Sequence, residues 1–284
     1  MILVSAIITT HNRIEHLKKA ISSVLSQTYT DIECIVVSDN SSDGTNEYCS
    51  NISNIHFINI PATESKGGNY ARNIGIEAAN GDYIAFLDDD DIWFPEKIEK
   101  QLKLALETDC SFVYCRRYFQ KKHYHNNIEV EESSNDCPIG DLSEKIFEHY
   151  VSSTSCYFVK KTLLNQINGF DEKVLMWQDY DLFIRLAQLS YVFCVDEPLV
   201  VYTLDELDHQ KVSNCFDKVP KSMWYFLKKH LPLVWTKSWK TKLLFIDHII
   251  SEVHYRALKL HNKRWIYICK PWIWISYRIK ETKD

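Results

Sequence analysis

The sequence predicts an α/β fold, a mostly parallel sheet with helices on both faces, and three observations support this. Short Val-, Ile- and Phe-rich runs recur at residues 3–9, 34–38, 56–60 and 83–87. Segments with an apolar residue every three or four positions separate them, and polar or glycine-containing loops follow the strand runs. The first run, LVSAIIT, reads as a buried strand. Asn12 then stands as an N-cap, and Ile14, Leu17, Ile21, Val24 and Leu25 repeat at helical spacing. A second strand at 34–38 is followed by a loop over 40–44, and a third strand at 56–60 leads to Lys66-Gly67-Gly68. A helix over 69–79 closes at Asn80-Gly81, and a fourth strand at 83–87 runs into Asp88-Asp89-Asp90-Asp91. Pro95 suits the first turn of a further helix whose core face is Ile98, Leu102, Ala105 and Leu106. Residues 121–136 read as a polar surface excursion, 152–160 have strand character, and Asn168-Gly169-Phe170-Asp171 is a turn. A helix from Asp179 to Leu189 turns Leu182, Leu186 and Leu189 inward, and beyond Val219 the pattern is helical and basic. Sheets of this kind bind ligands at the carboxyl ends of their strands, so the loops at 9–13, 39–43 and 88–91 are expected to converge on one crevice.

With 284 residues and 45% hydrophobic content, the chain can bury a sizeable core, which excludes disorder and fibrous structure. The net charge of -5 hides an asymmetry. Residues 1–217 carry -16, whereas residues 218–284 carry +11 and hold six of the eight tryptophans. This divides the chain into an acidic domain over 1–217 and a basic, Trp-rich helical tail over 218–284. The nine cysteines are scattered, odd in number and without a CxxC pair, and read as reduced thiols of a cytoplasmic protein. The opening MILVSAIITTHNR lacks a basic n-region and reads as a strand, not a leader. No run reaches the ~20 apolar residues of a membrane span.

Four adjacent carboxylates at a strand end repel one another, so a folded site needs a cation or a set of donors to hold them. Oxygen-only ligands suit Mg²⁺ or Mn²⁺, which usually keep waters and bridge substrate phosphates. A solvated acidic loop is the alternative, and position after a buried strand favours the site.

Taken together and in order, VSAIITTHNR, ECIVVSDNSSDGT, GGNYARNIG, GDYIAFLDDDDIW and WQDYDLFIRL resemble the family 2 inverting glycosyltransferases of the GT-A fold. The resemblance covers about residues 3–203. It implies a nucleotide-sugar donor, most often a UDP-sugar, a divalent cation (Mn²⁺ or Mg²⁺) held through a DxD motif, and transfer with inversion. Carried over by position, Thr9, His11 and Arg13 border the nucleotide and Asp39 accepts a hydrogen bond from the uracil. Arg72 approaches the nucleotide or its diphosphate. Asp88 and Asp89 face the ribose and the outer shell of the metal, Asp90 is the direct metal ligand, and Asp91 is structural or on the acceptor side. His11 stands where relatives often have Tyr. From the residues alone, Asp39 could simply open a turn.

Inversion needs one general base, and the resemblance places it at Asp179, in Trp177-Gln178-Asp179-Tyr180-Asp181. Relatives commonly carry Glu at the position of Gln178. Without the family context, Asp179 is equally a first-turn carboxylate favoured by the helix dipole. Asp181 points elsewhere on the helix, and Trp177 is either a sugar-stacking ring or a core residue. His209, in Asp208-His209-Gln210, resembles a late histidine that contacts diphosphate or metal, or else is a surface histidine.

In the tail, Leu243, Ile246, Ile250, Val253 and Ala257 form an apolar stripe among lysines, arginines and tryptophans. That mixture suits an anionic bilayer surface, with packing on the catalytic domain as the alternative. The expectation is a protein peripheral on the inner face of the cell membrane, acting on a glycan or lipid-linked sugar in bacterial O-antigen, capsule or lipopolysaccharide synthesis. The tail resembles no nucleic-acid module. The competing classes are a sugar-nucleotide nucleotidyltransferase, which would want a glycine-rich phosphate loop before Gly44, and a non-catalytic carbohydrate-binding protein, which would not need both Asp90 and Asp179.

Overall fold

The computed structural model describes residues 2–122, 128–132, 136–148, 151–205, 216 and 219–281. Along the chain come β1 (Val4–Thr10), α1 (Ile14–Leu25), β2 (Ile32–Asp39), α2 (Thr45–Ser50), β3 (His56–Ile60), α3 (Gly68–Ala78), β4 (Tyr83–Asp88) and β5 (Ile92–Trp93). Next are α4 (Lys97–Thr108), β6 (Phe112–Lys122), β7 (Ile128–Glu132), β8 (Phe158–Lys160), α5 (Lys161–Gln166), α6 (Gln178–Ala187) and β9 (Val192–Asp205). Three helices close the described chain: α7 (Val219–Val234), α8 (Trp239–Lys259) and α9 (Lys263–Glu281).

The strands form one mixed sheet in the order β3-β2-β1-β4-β8-β6-β9-β5, with β7 added on β6. β1 is parallel to β2 and β4, and β2 to β3, while β8 runs antiparallel to both β4 and β6. Only Thr9 of β1 escapes full burial, which is why its sequence reads as a continuous apolar run instead of an alternation. Since Thr9 pairs with both Val37 and Asp88, the carboxyl ends of β1, β2 and β4 lie at one level.

Several expectations change. Asn12 is not an N-cap: it adopts φ 54°, and α1 begins at Ile14, whose N–H donates to Asp43 Oδ2 at 2.8 Å. A loop residue some thirty positions away thus does the work expected of the adjacent one. The 40–44 loop runs into the six-residue α2. Part of the polar excursion is a β6–β7 hairpin, held by Lys121–Glu131 and Arg116–Glu132 ion pairs. Its charges on both faces hide the period-2 signal that a half-buried strand shows. In 152–160 only Phe158–Lys160 is strand, preceded by a 3-10 turn at Thr154–Cys156. Cys137 and Cys194 form a disulfide with Cα atoms 6.1 Å apart, contrary to the expectation of thiols throughout. Cys34, Cys49, Cys110, Cys115, Cys156 and Cys269 are buried and free.

The chain divides into two compact units. The first comprises 1–142, 151–172 and 178–205, and the second comprises 143–150, 173–177 and 206–284. The second therefore includes two short segments far upstream of residue 218. Its core centres on Phe226, with Trp177, His230 and Phe245 at ring distances of 5.6, 4.6 and 6.2 Å. Glu144 caps α8 by accepting from the Thr241 hydroxyl at 2.7 Å and the Ser238 N–H at 3.2 Å. The buried line of α8 runs through Phe245, Ile249, Val253 and Ala257, sharing only its last two residues with the expected stripe. Among the described residues no helix is long and apolar enough to cross a membrane.

Candidate functional site

The carboxyl ends of β1, β2 and β4 and the start of α3 meet through side-chain bonds across long sequence separations. At β2, Asp39 Oδ2 accepts the Gly67 N–H at 2.9 Å, and Gly67 has φ +96°, a conformation L side chains rarely adopt. The other oxygen, Oδ1, is buried, and no group among the described residues donates to it. A buried carboxylate oxygen without a donor is costly, so this atom is suited to a ligand N–H.

The His11 ring is fixed beside it. The N–H and hydroxyl of Ser42 donate to Asn12 Oδ1 at 2.7 and 3.3 Å, which sets the orientation of the amide. Asn12 Nδ2 must then donate to His11 Nε2 at 3.1 Å, and His11 Nδ1–H to the Asp39 carbonyl at 2.5 Å. Both ring nitrogens are engaged, which orients the imidazole at the crevice edge.

The four aspartates have four different environments. Asp88 accepts from Arg72 Nη2 at 2.5 Å, and the buried guanidinium also lies 5.4 Å from the Phe170 ring centre. Arg72 is thus held on Asp88 within the same crevice. Asp89 is buried, accepting from the Thr10 hydroxyl at 2.7 Å and from Arg13 at 3.2 Å. Asp90 lies 3.4 Å from Arg13. Asp91 is fully buried, accepting from the Ser155 hydroxyl at 2.5 Å and the Thr203 N–H at 3.0 Å. Of the two roles open to Asp91, the structural one matches this burial. Burial and the neighbouring Asp90 charge push the Asp89 carboxyl up to about 7, against the opposing pull of Arg13 and Thr10. Burial and the charges of Asp90 and Asp88 raise Asp91 as well. Four carboxyls crowd this turn beside the guanidiniums of Arg13 and Arg72, and an added cation would favour their ionised forms. No three His, Cys, Asp or Glu side chains among the described residues form a complete metal cage. Ions that bridge substrate phosphates use only one or two carboxylates, a requirement that Asp90 with Asp88 meets.

Asp179 stands in the first turn of α6, its Oδ1 accepting the Tyr180 N–H at 2.8 Å and its carbonyl the Tyr157 hydroxyl at 3.3 Å. Asp181 is buried and paired with Arg185 at 2.8 Å, and Arg185 also donates to the carbonyls of Ile167 and Gly169. That pair anchors the turn before the helix. Tyr202, on β9, links the two halves. Burial raises its phenol well above the ordinary tyrosine range, and the nearby carboxylates of Asp91, Asp179 and Asp90 add to the rise. The acidic turn and Asp179 therefore share one neighbourhood. Trp177 is buried against Phe226 in the second unit, and His209 lies outside the described residues.

Thr10, Ser155, Tyr157 and Tyr202 lie beside these aspartates and are not singled out by the sequence pattern. The one available signal is the unbroken hydroxyl run Ser152-Ser153-Thr154-Ser155 before an apolar strand.

The family model described as glycosyl transferase family 2 matches residues 5–165, more than half of the chain. An uncharacterized glycosyltransferase of Methanocaldococcus jannaschii, MJ1057, is 29% identical over 258 residues, covering 87% of this chain and 83% of that one. The Escherichia coli enzyme WfgD, a UDP-Glc:alpha-D-GlcNAc-diphosphoundecaprenol beta-1,3-glucosyltransferase, is 39% identical over 112 residues, 39% of this chain and 44% of its own. Among solved structures, S. aureus TarS 1-349 in complex with UDP aligns with a TM-score of 0.60 at 15% identity, covering 91% of this chain and 88% of that one. The Pyrobaculum calidifontis mannosyltransferase PcManGT, in complex with GDP-Man and Mn²⁺, aligns with a TM-score of 0.61 at 15% identity, covering 91% and 74%. At that identity the two structures speak to the fold alone. With its motifs gathered at the carboxyl edge of a mostly parallel sheet, the chain belongs to glycosyl transferase family 2 and has the GT-A fold.

Proposed function

We propose that this glycosyltransferase moves a hexose or N-acetylhexosamine from a UDP-sugar to a glycan acceptor carried on a polyprenyl diphosphate, with inversion to a β-linkage. The observation that carries the proposal is that one buried segment touches both the acidic turn and the start of α6, Ser155 bonding to Asp91 at 2.5 Å and Tyr157 lying 3.3 Å from the Asp179 carbonyl. Phosphate-side carboxylates and a separate carboxylate on the acceptor side are what an inverting displacement requires. The name of WfgD, a UDP-glucose-dependent enzyme acting on a diphosphoundecaprenol-linked sugar, supports the choice of donor and acceptor.

In this reading Asp39 Oδ1 accepts the nucleobase N–H, while Thr9, His11 and Arg13 border the nucleotide. Arg72 and Arg13, held on Asp88 and Asp89, set positive charge beside the diphosphate. Asp179 takes the proton of the acceptor hydroxyl as that oxygen attacks the anomeric carbon opposite the departing UDP. A divalent cation, Mn²⁺ or Mg²⁺, held by Asp90 with Asp88 and His209 as further candidate ligands, would offset the charge that develops on the leaving diphosphate. The test is incubation of the protein with a panel of UDP- and GDP-sugars, scoring metal-dependent release of the nucleoside diphosphate. Release from a UDP-sugar that stops on chelation of the metal is expected. Turnover of GDP-sugars alone would overturn the donor assignment.

The second unit is proposed to bind an anionic membrane surface, which would place the protein at the inner face of the cell membrane near a lipid-linked acceptor. Trp224, Trp235, Trp239 and Trp274 are all more than 60% exposed, in a region of charge +11. Lys242 lies 5.5 Å from the Trp235 ring centre, the combination of ring and cation that suits headgroups. In liposome flotation the protein is expected to rise with anionic vesicles and not with neutral ones, and the W224A/W235A double variant to rise less. Equal recovery of both proteins with either vesicle would remove the membrane role.

A further inference from the structure

We propose that the buried segment 152–157 is a bracket that sets the separation between the acidic turn and Asp179, with Ser155 and Tyr157 as its two positioning residues. The proposal rests on the reading of Asp179 as base and of the turn as the phosphate-side cluster.

Every residue from Ser152 to Tyr157 is buried. Four consecutive hydroxyl side chains inside a core are costly unless bonded, and the bonds at the two ends of this segment lead to opposite sides of the site. A serine hydroxyl has one proton and can also accept. Ser155 uses both, donating to Asp91 Oδ2 at 2.5 Å and accepting the Asp88 N–H at 3.1 Å. One oxygen thus joins the first and last aspartates of the turn and fixes the two between them. The Ser155 carbonyl is held in turn by the Trp93 indole N–H at 2.9 Å.

Two positions on, the Tyr157 hydroxyl donates to the Ser152 carbonyl at 2.7 Å and lies 3.3 Å from the carbonyl of Asp179. Its single proton is shared between the two carbonyls, with Ser152 the nearer, and brings the start of α6 to the segment that holds the acidic turn. Backbone between residues two apart spans at most about 7 Å, and both side chains are fully buried, which limits how far the two anchors can move. Arg117 stiffens the other end, donating to the Ser152 hydroxyl at 3.3 Å with its guanidinium 5.3 Å from the Tyr202 ring centre. Neither Ser155 nor Tyr157 touches the reacting atoms in this account. Each acts through a neighbour, where a misplacement of about 1 Å can cost up to roughly 100-fold in rate.

The test uses the full-length protein, with Mn²⁺·UDP titration calorimetry and transfer kinetics on the donor identified by the sugar panel. Ser155→Ala is expected to weaken Mn²⁺·UDP binding by about tenfold, and Ser155→Thr, which keeps a hydroxyl, to restore it. Tyr157→Phe is expected to leave Mn²⁺·UDP affinity at the wild-type value and to lower kcat about tenfold without raising the acceptor KM. A merely structural role would lower Tm without this division between the two variants. If UDP affinity and kcat stay within about twofold of wild type in both, the bracket is wrong. Should Ser155→Ala fail to fold, Tyr157→Phe and Ser155→Thr still decide the matter. Asp179→Asn in the same assays separates the two levels. Normal turnover there removes the base assignment and leaves the Ser155 arm standing, whereas an inactive Asp179→Asn beside a fully active Tyr157→Phe removes the bracket's hold on Asp179.

Discussion

Asp179→Asn is expected to bind UDP and Mn²⁺ as the wild type does and to lose about 10²–10⁴-fold in kcat, the range a positioned general base supplies. The barrier would rise by roughly 3–5 kcal/mol. Asparagine keeps the size of the side chain and an oxygen that can accept the Tyr180 N–H now held at 2.8 Å, so the first turn of α6 is preserved. What it cannot do is take a proton from the acceptor hydroxyl. Calorimetry with Mn²⁺·UDP and single-turnover transfer, run on the same preparation, separate the two functions. A first-turn carboxylate serving only the helix dipole would cost at most about 1 kcal/mol of stability and nothing in kcat. Near-normal turnover in the variant would therefore assign Asp179 to the helix and not to the chemistry.

Asp90→Asn is expected to show the opposite pattern, a fall of about 100-fold in metal-dependent UDP affinity, with metal-free UDP binding unchanged. Loss of an outer-shell partner of a metal site already costs 10–100-fold, and a direct ligand is expected to reach at least the upper end of that range. The remaining affinity would come from the Asp39 and His11 side of the crevice. The family 2 resemblance places the ligand at Asp90, which lies 3.4 Å from Arg13, while Asp89 and Asp91 are buried on Thr10, Ser155 and Thr203. Titrating Mn²⁺ against bound UDP measures the effect directly. A variant with wild-type metal dependence would move the cation to another carboxylate.

Much of the first unit can be read along the chain, because a buried strand and an amphipathic helix each leave a periodic trace. β3 (His56–Ile60) appears at its expected bounds, and β1, β2, α3 and β4 lie within two residues of theirs. The β6–β7 hairpin escapes because its ion pairs place charge on both faces, and α2 because six residues are too few for a helical period. The 152–160 segment reads as strand throughout, whereas only Phe158–Lys160 is strand, because the buried hydroxyls of Ser152 and Ser155 find their partners in distant elements and not in a ladder.

Local pattern alone marks where the strands end, that an acidic turn follows β4, and that the last 67 residues are cationic and rich in tryptophan. It leaves the four aspartates equivalent. Their division into a partner for Arg72, a buried acceptor for Thr10, a neighbour of Arg13 and an internal strut to Ser155 and Thr203 depends on residues up to 112 positions away. The order of strands in the sheet brings those partners together, and no periodicity along the chain encodes that order. The same holds for Asp179. Its sequence context marks a helix start, and only the packed fold brings its carbonyl to Tyr157, two residues from the Ser155 that holds Asp91. Burial raises Asp89 and Asp91, and long-range pairing sets the partners of all four aspartates, so the chemistry of the site is a property of the packed sheet and not of the DDDD motif alone.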